Sequence, residues 1–130
     1  MAQEIKTLSS AALAFLGDAV YELYIRDMVV HQREGNADQL NHLSKALTNA
    51  RAQAHLADLL QTSMTAEELA VYKRGRNMKS LSTPKSCTIS EYRRATGLEA
   101  LMGYLHFHHR PERIRELLNL GISSIEQESV

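Results

Sequence analysis

Two carboxylates and one basic stretch are the parts of this chain whose types and spacing could do chemistry. Asp18 stands in LAFLGDAVYELYIR, residues 13–26. There Leu13, Phe15, Leu16, Val20, Leu23, Tyr24 and Ile25 spread round almost the whole circumference of a helix. A helix that is apolar on most sides is expected to be buried on most sides. A carboxylate in such company is costly unless it is paired, hydrogen-bonded or bound to a metal. Asp18 therefore either reaches water or a core arginine, or it holds a cation. Glu99 poses the same question in RRATGLEALMGYL, residues 93–105, at the margin of an apolar face made by Leu98, Leu101, Met102 and Leu105. Thr96 and Gly103, at i−3 and i+4, share its side of the helix. Small residues there leave room for water or an ion; the alternative is close helix packing at Gly97, Ala100 and Gly103.

If the two helices pack side by side, Asp18 and Glu99 can share one divalent ion. Magnesium prefers oxygen ligands, keeps several waters, and is commonly held by one or two carboxylates plus a substrate phosphate. An ion so placed polarises a phosphoryl oxygen and lowers the pKa of a bound water. The basic stretch fits that chemistry. Residues 72–94 carry Lys73, Arg74, Arg76, Lys79, Lys85, Arg93 and Arg94 against the single Glu91, in a chain whose formal net charge is zero. Positive charge concentrated within an otherwise acidic chain points to a polyanion such as a phosphate backbone, or else to a solvated loop.

The elements that must position these groups read as helices. Thr7, Ser9 and Ser10 offer N-cap oxygens for a first helix over about 8–32, broken by Gly35 and Asn36. Leu40, Leu43, Leu47, Ala50, Ala54, Ala57 and Leu60 recur at three- and four-residue steps, which predicts one amphipathic helix over about 38–61. Thr65 with Glu68 is a capping-box pattern opening a short helix to about Tyr72 or Lys73. KRGRNMKSLSTPKS, residues 73–86, reads as a long polar loop, and Thr88 with Glu91 opens a fourth helix over about 89–109. Pro111 starts a last helix expected to end before Gly121, with a frayed tail at 122–130. With no strand pattern and no repeat, the 130 residues are expected to form a single all-α domain, a bundle of about five helices. There is no signal-peptide pattern and no apolar run long enough to cross a membrane. The single Cys87, read as structural, fits a reducing, cytoplasmic setting. Glu22 is expected to pair with Arg26, and His106, His108 and His109 to close the fourth helix rather than bind zinc.

Three stretches in order carry a family resemblance. FLGDAVYE, residues 15–22, resembles the signature helix of ribonuclease III. TGLEALMGYL, residues 96–105, resembles that family's second acidic motif, Asp-x-x-Glu-Ala-Leu-x-Gly. With RGRNMKS between them, the chain is similar over about residues 8–121 to the Mini-ribonuclease III branch, a catalytic domain without a double-stranded-RNA-binding domain. The resemblance implies a ribonuclease III-like endonuclease fold with Asp18 and Glu99 as catalytic and metal-binding residues and Mg2+, or Mn2+ in its place, as cofactor. The family's other two carboxylates fall on Ala14 and Thr96, so the resemblance implies fewer protein ligands and more water around the ion. It further implies a homodimer that cuts each strand of duplex RNA, leaving 5′-phosphate and 3′-hydroxyl ends. The implied substrate is a stem in precursor large-subunit ribosomal RNA, with a ribosomal protein as a further partner. Lys73, Arg74, Arg76, Lys79, Lys85, Arg93 and Arg94 would then grip the RNA. The alternative is a non-catalytic dimeric RNA-binding or ribosome-associated protein on the same fold.

Overall fold

Both capping boxes close as expected in the computed structural model, which describes residues 8–32, 34–79 and 83–128. Thr65 accepts from the Glu68 backbone and Glu68 returns the bond to Thr65. Thr88 and Glu91 do the same. The described residues form six α-helices and no strand: α1 (Ser10–Gln32), α2 (Ala37–Thr48), α3 (Ala50–Leu60), α4 (Ala66–Arg76), α5 (Ile89–Phe107) and α6 (Pro111–Glu128). A single 3-10 turn, Gln61–Ser63, follows α3. None of these helices is long and apolar enough to cross a membrane.

Four boundaries differ from the sequence expectation, each for a physical reason. The helix expected over 38–61 is two, because Asn49 leaves the helical region (φ −77°, ψ 161°). It donates back to the Lys45 carbonyl and accepts from the Ala52 backbone, ending α2 and capping α3 at once. The apolar stripe runs straight through this break, so periodicity alone hides it. The next helix, α4, continues past Lys73 to Arg76, because Gly75 packs on Gly97 and Ala100 instead of stopping the chain. The end of α5 comes at Phe107, where His109 takes the left-handed conformation (φ 56°) that more often belongs to glycine. Finally, α6 runs through Gly121 and on to Glu128, where a frayed tail is expected from the sequence. Leu56 occupies the space a side chain at 121 would need, Ile122 is buried, and His55 bonds Glu128 at 2.7 Å.

The centre of the molecule is α5, with α1, α3, α4 and α6 packed around it. Leu98, Ala100, Leu101, Met102 and Leu105 are fully buried. The four larger side chains meet Val20, Tyr21, Ile25, Leu56, Leu60, Tyr72, Ile114, Leu117 and Leu118 from the surrounding helices, while Ala100 packs with Leu13, Ala14 and Val71. A buried ion pair anchors α6: Arg113 grips both oxygens of Glu68 at 2.8 Å and donates to the Ser63 carbonyl at 2.7 Å. In the single chain α1 is not buried on most sides. Phe15, Leu23 and Val30 are 85%, 64% and 60% exposed, along a face turned away from the core.

Candidate metal centre and nucleic-acid interface

Helices α1 and α5 touch backbone to backbone. A Cβ on Gly17 would overlap the Glu99 carbonyl, and one on Gly103 would overlap the Leu13 carbonyl. Only glycine at both positions permits so close an approach. The contact sets Asp18, the residue after Gly17, against Glu99. Asp18 is exposed and Glu99 is partly buried. The close packing expected at Gly97, Ala100 and Gly103 is real but divided: Gly97 and Ala100 receive Tyr72 and Gly75 of α4, while Gly103 takes part in the crossing with α1 that sets the acids together.

The electrostatics of the pair are those of a site short of positive charge. Burial, the charge of Asp18 and a hydrogen bond with Asp18 together push the Glu99 carboxyl up to about 8. Among the described residues no cationic side chain forms an ion pair with either acid. An uncharged partner comes from α3: Gln53 Nε2 donates to Glu99 Oε2 at 3.4 Å. Hard oxygen donors held together with uncompensated charge suit a divalent cation. The donor set is small: no group of three or more His, Cys, Asp or Glu is disposed for a metal among the described residues. An ion held by these two acids would need water to complete its coordination. Ala14, buried, and Thr96, whose hydroxyl donates to the Tyr92 carbonyl of its own helix at 2.9 Å, supply no carboxylate.

Glu22 pairs with Arg26 at 2.8 Å. The three histidines close α5: His108 caps it and its ring lies 4.4 Å from that of Tyr104. Cys87 is partly buried near the Pro84 carbonyl. Neither Gln53 nor Asn49 stands out in the sequence as a functional residue. The one available signal is an asparagine, a good cap, in the middle of a predicted helix.

The basic side chains fall into two groups. Lys73, Arg74, Lys79, Lys85 and Arg93 are exposed and take part in no ion pair among the described residues. Arg94 is bound to Asp58 and donates to the Ser90 carbonyl. Arg76 lies over the Tyr72 ring at 5.7 Å and donates to Asn77. Because Gly75 rests on Gly97 and Ala100, the basic end of α4 sits level with Glu99 along α5. Part of the expected loop, residues 80–82, lies outside the described residues.

The chain is similar to known proteins over nearly its whole length. A family model described as the ribonuclease III domain matches residues 11–110. The chain is 42% identical over 125 residues to the Mini-ribonuclease 3 of Enterococcus faecalis, covering 95% of each chain. It is 41% identical over 123 residues to that of a Thermoanaerobacter species, covering 95% of this chain and 87% of the relative. Among solved structures, a Fusobacterium nucleatum protein superposes with a TM-score of 0.81 at 35% identity, covering 95% of this chain and 98% of that one.

Proposed function

The chain belongs to the ribonuclease III family, and from that premise we propose that its cleavage of double-stranded RNA depends on Mg2+ held by Asp18 and Glu99. The observation that carries the reading is the glycine crossing of α1 and α5, which sets two acids together with no cation paired to them. When bound, a divalent ion supplies polarisation of the scissile phosphoryl group and a more acidic water. The protein's own residues do the rest. Asp18, exposed, faces the side from which a backbone phosphate arrives, while Glu99 sits deeper, braced by α3 and α5. Lys73, Arg74, Lys79, Lys85 and Arg93 present charge to the phosphates on either side of the cut, with Arg76 and Arg94 held closer to the protein surface. Duplex RNA is read mostly by shape, phosphates and 2′-hydroxyls across its shallow groove. A basic rim level with the acids suits that mode.

Two copies pair through α1 in this reading. Phe15, Leu23 and Val30 form an apolar strip that a single chain leaves in water, and a second copy about a twofold axis would cover it. Two sites then face one duplex, one per strand. The substrate we assign is a stem of precursor large-subunit ribosomal RNA in the cytoplasm, with a ribosomal protein as accessory. The test is cleavage of a synthetic RNA duplex with and without Mg2+. Wild type cuts with Mg2+ and stops with chelator; Asp18→Asn binds the duplex but leaves it intact. Cutting that survives Asp18→Asn would put the catalytic centre elsewhere, and wild type that binds without cutting would make this a binding protein on the same fold.

A further inference from the structure

A third helix reaches the acidic pair, through an uncharged side chain. Gln53 is only 4% exposed, one of three buried polar residues among those described, alongside Ser44 and Glu68. Burying an amide costs free energy unless it is hydrogen-bonded. Glu68 is accounted for by Arg113 and its helix cap. The side-chain bond of Gln53 goes to Glu99 Oε2.

The local chain is built to deliver that side chain. Tyr21, one turn after Asp18, is buried and donates its hydroxyl to the Leu47 carbonyl at 2.6 Å, tying α1 to the last turn of α2. Two residues later Asn49 breaks the helix and caps α3. Its carbonyl accepts the Gln53 backbone N–H at 3.0 Å, which fixes Gln53 in the first turn of α3 facing α5. The break that periodicity hides is thus the device that aims the amide.

Resting on the metal-centre reading above, we propose that Gln53 is a positioning residue of that centre: its amide holds the Glu99 carboxylate in the orientation that receives the cation. The choice of residue follows from charge. A lysine or arginine here would neutralise Glu99 and compete with the ion, and a further carboxylate would add repulsion to a pair already short of positive charge. An amide orients without doing either. Groups that orient metal ligands in this way typically contribute 10- to 100-fold in metal affinity or activity.

The experiment uses Mn2+ alone, followed by the electron paramagnetic resonance of the free ion, on wild type, Asp18→Asn, Gln53→Met and Gln53→Leu without RNA. Cleavage kinetics against Mg2+ concentration run in parallel. We expect Asp18→Asn to abolish specific Mn2+ binding. Both Gln53 variants should weaken it about 10-fold, raise the Mg2+ needed for half-maximal cleavage by a similar factor, and leave KM for duplex unchanged at saturating Mg2+. Both carry unbranched or γ-branched apolar side chains of similar volume, so the metal-free melting transition should stay near that of wild type. Gln53 variants that bind Mn2+ as wild type does, while Asp18→Asn does not, overturn the role of Gln53 alone. Loss of the melting transition in both makes Gln53 a core residue and overturns it too. Equal binding by wild type and Asp18→Asn instead overturns the metal-centre reading itself.

Discussion

Gly17→Ala tests whether the acids are placed by the backbone contact. In the native crossing the added methyl carbon would lie 2.5 Å from the Glu99 carbonyl carbon and 2.8 Å from the Gly103 nitrogen. Ordinary carbon contacts are about 3.5–4.0 Å, and the methyl would also overlap the Glu99 carbonyl oxygen outright, so α1 must retreat from α5 by well over 1 Å. Overpacking ordinarily costs about 1–3 kcal/mol, and a backbone-on-backbone overlap lies at or above the top of that range, against a total stability of about 5–15 kcal/mol. The protein should stay folded, with Tm lowered by roughly 10 °C or more. The consequence for activity is larger, because a misplacement of about 1 Å between catalytic groups can cost about 100-fold. The assay is duplex cleavage at saturating Mg2+, well below Tm, beside Gly75→Ala as a steric control. A methyl on Gly75 would meet the Ala100 Cβ at 2.7 Å, where α4 packs on α5. That variant should lose less stability, since the methyl meets a side-chain carbon and not a backbone carbonyl, and keep kcat within a few-fold. If Gly17→Ala kept wild-type kcat, or Gly75→Ala lost as much, the backbone crossing would not be what sets the catalytic geometry.

Three further outcomes rest on the same structure. Folded metal-free protein holds a proton on Glu99 up to about 8, whereas the unfolded chain releases it near 4.5. Stability should therefore fall as pH rises between those values. Melting curves across that range should show the fall in wild type, its removal by Mg2+, and a flatter profile in Glu99→Gln. Arg113→Met leaves Glu68 buried and unpaired and should cost about 3–5 kcal/mol by urea denaturation. The Glu68 carboxyl is held below its ordinary range chiefly by its hydrogen bond with Arg113, so wild type should lose that contribution as acid protonates Glu68. Replacing Lys73, Arg74, Lys79 and Lys85 together should reduce the slope of log affinity for duplex against log salt, by roughly one for each phosphate no longer neutralised. Arg94→Ala should change it less, since Asp58 already holds that side chain.

What is legible in the sequence is what is local or repeated. Each capping box is a four-residue pattern whose partners are neighbours in the chain, so Thr65–Glu68 and Thr88–Glu91 open their helices where the pattern places them. Asp18 and Glu99 stand out because a carboxylate amid apolar residues has few inexpensive explanations. The break at Asn49 does not stand out, because the leucine and alanine stripe keeps its phase across it. Gly121 reads as a terminator on intrinsic preference, but Leu56 packs against that glycine and the helix continues. Gln53 is invisible for a different reason. A neutral amide on an alanine-rich helix signals nothing until α3 is set against α5, and that placement is a tertiary fact.

The crossing of α1 and α5 has a mechanical consequence. Asp18 follows the glycine at the contact, and Glu99 supplies the carbonyl on which that glycine rests. Both acids sit at the fulcrum of the helix pair, not out on its arms. A rocking motion that swings the far ends of α1 and α5 barely alters the spacing of the two carboxylates. The ends of the two helices can therefore diverge while the proposed seat of the cation keeps its dimensions.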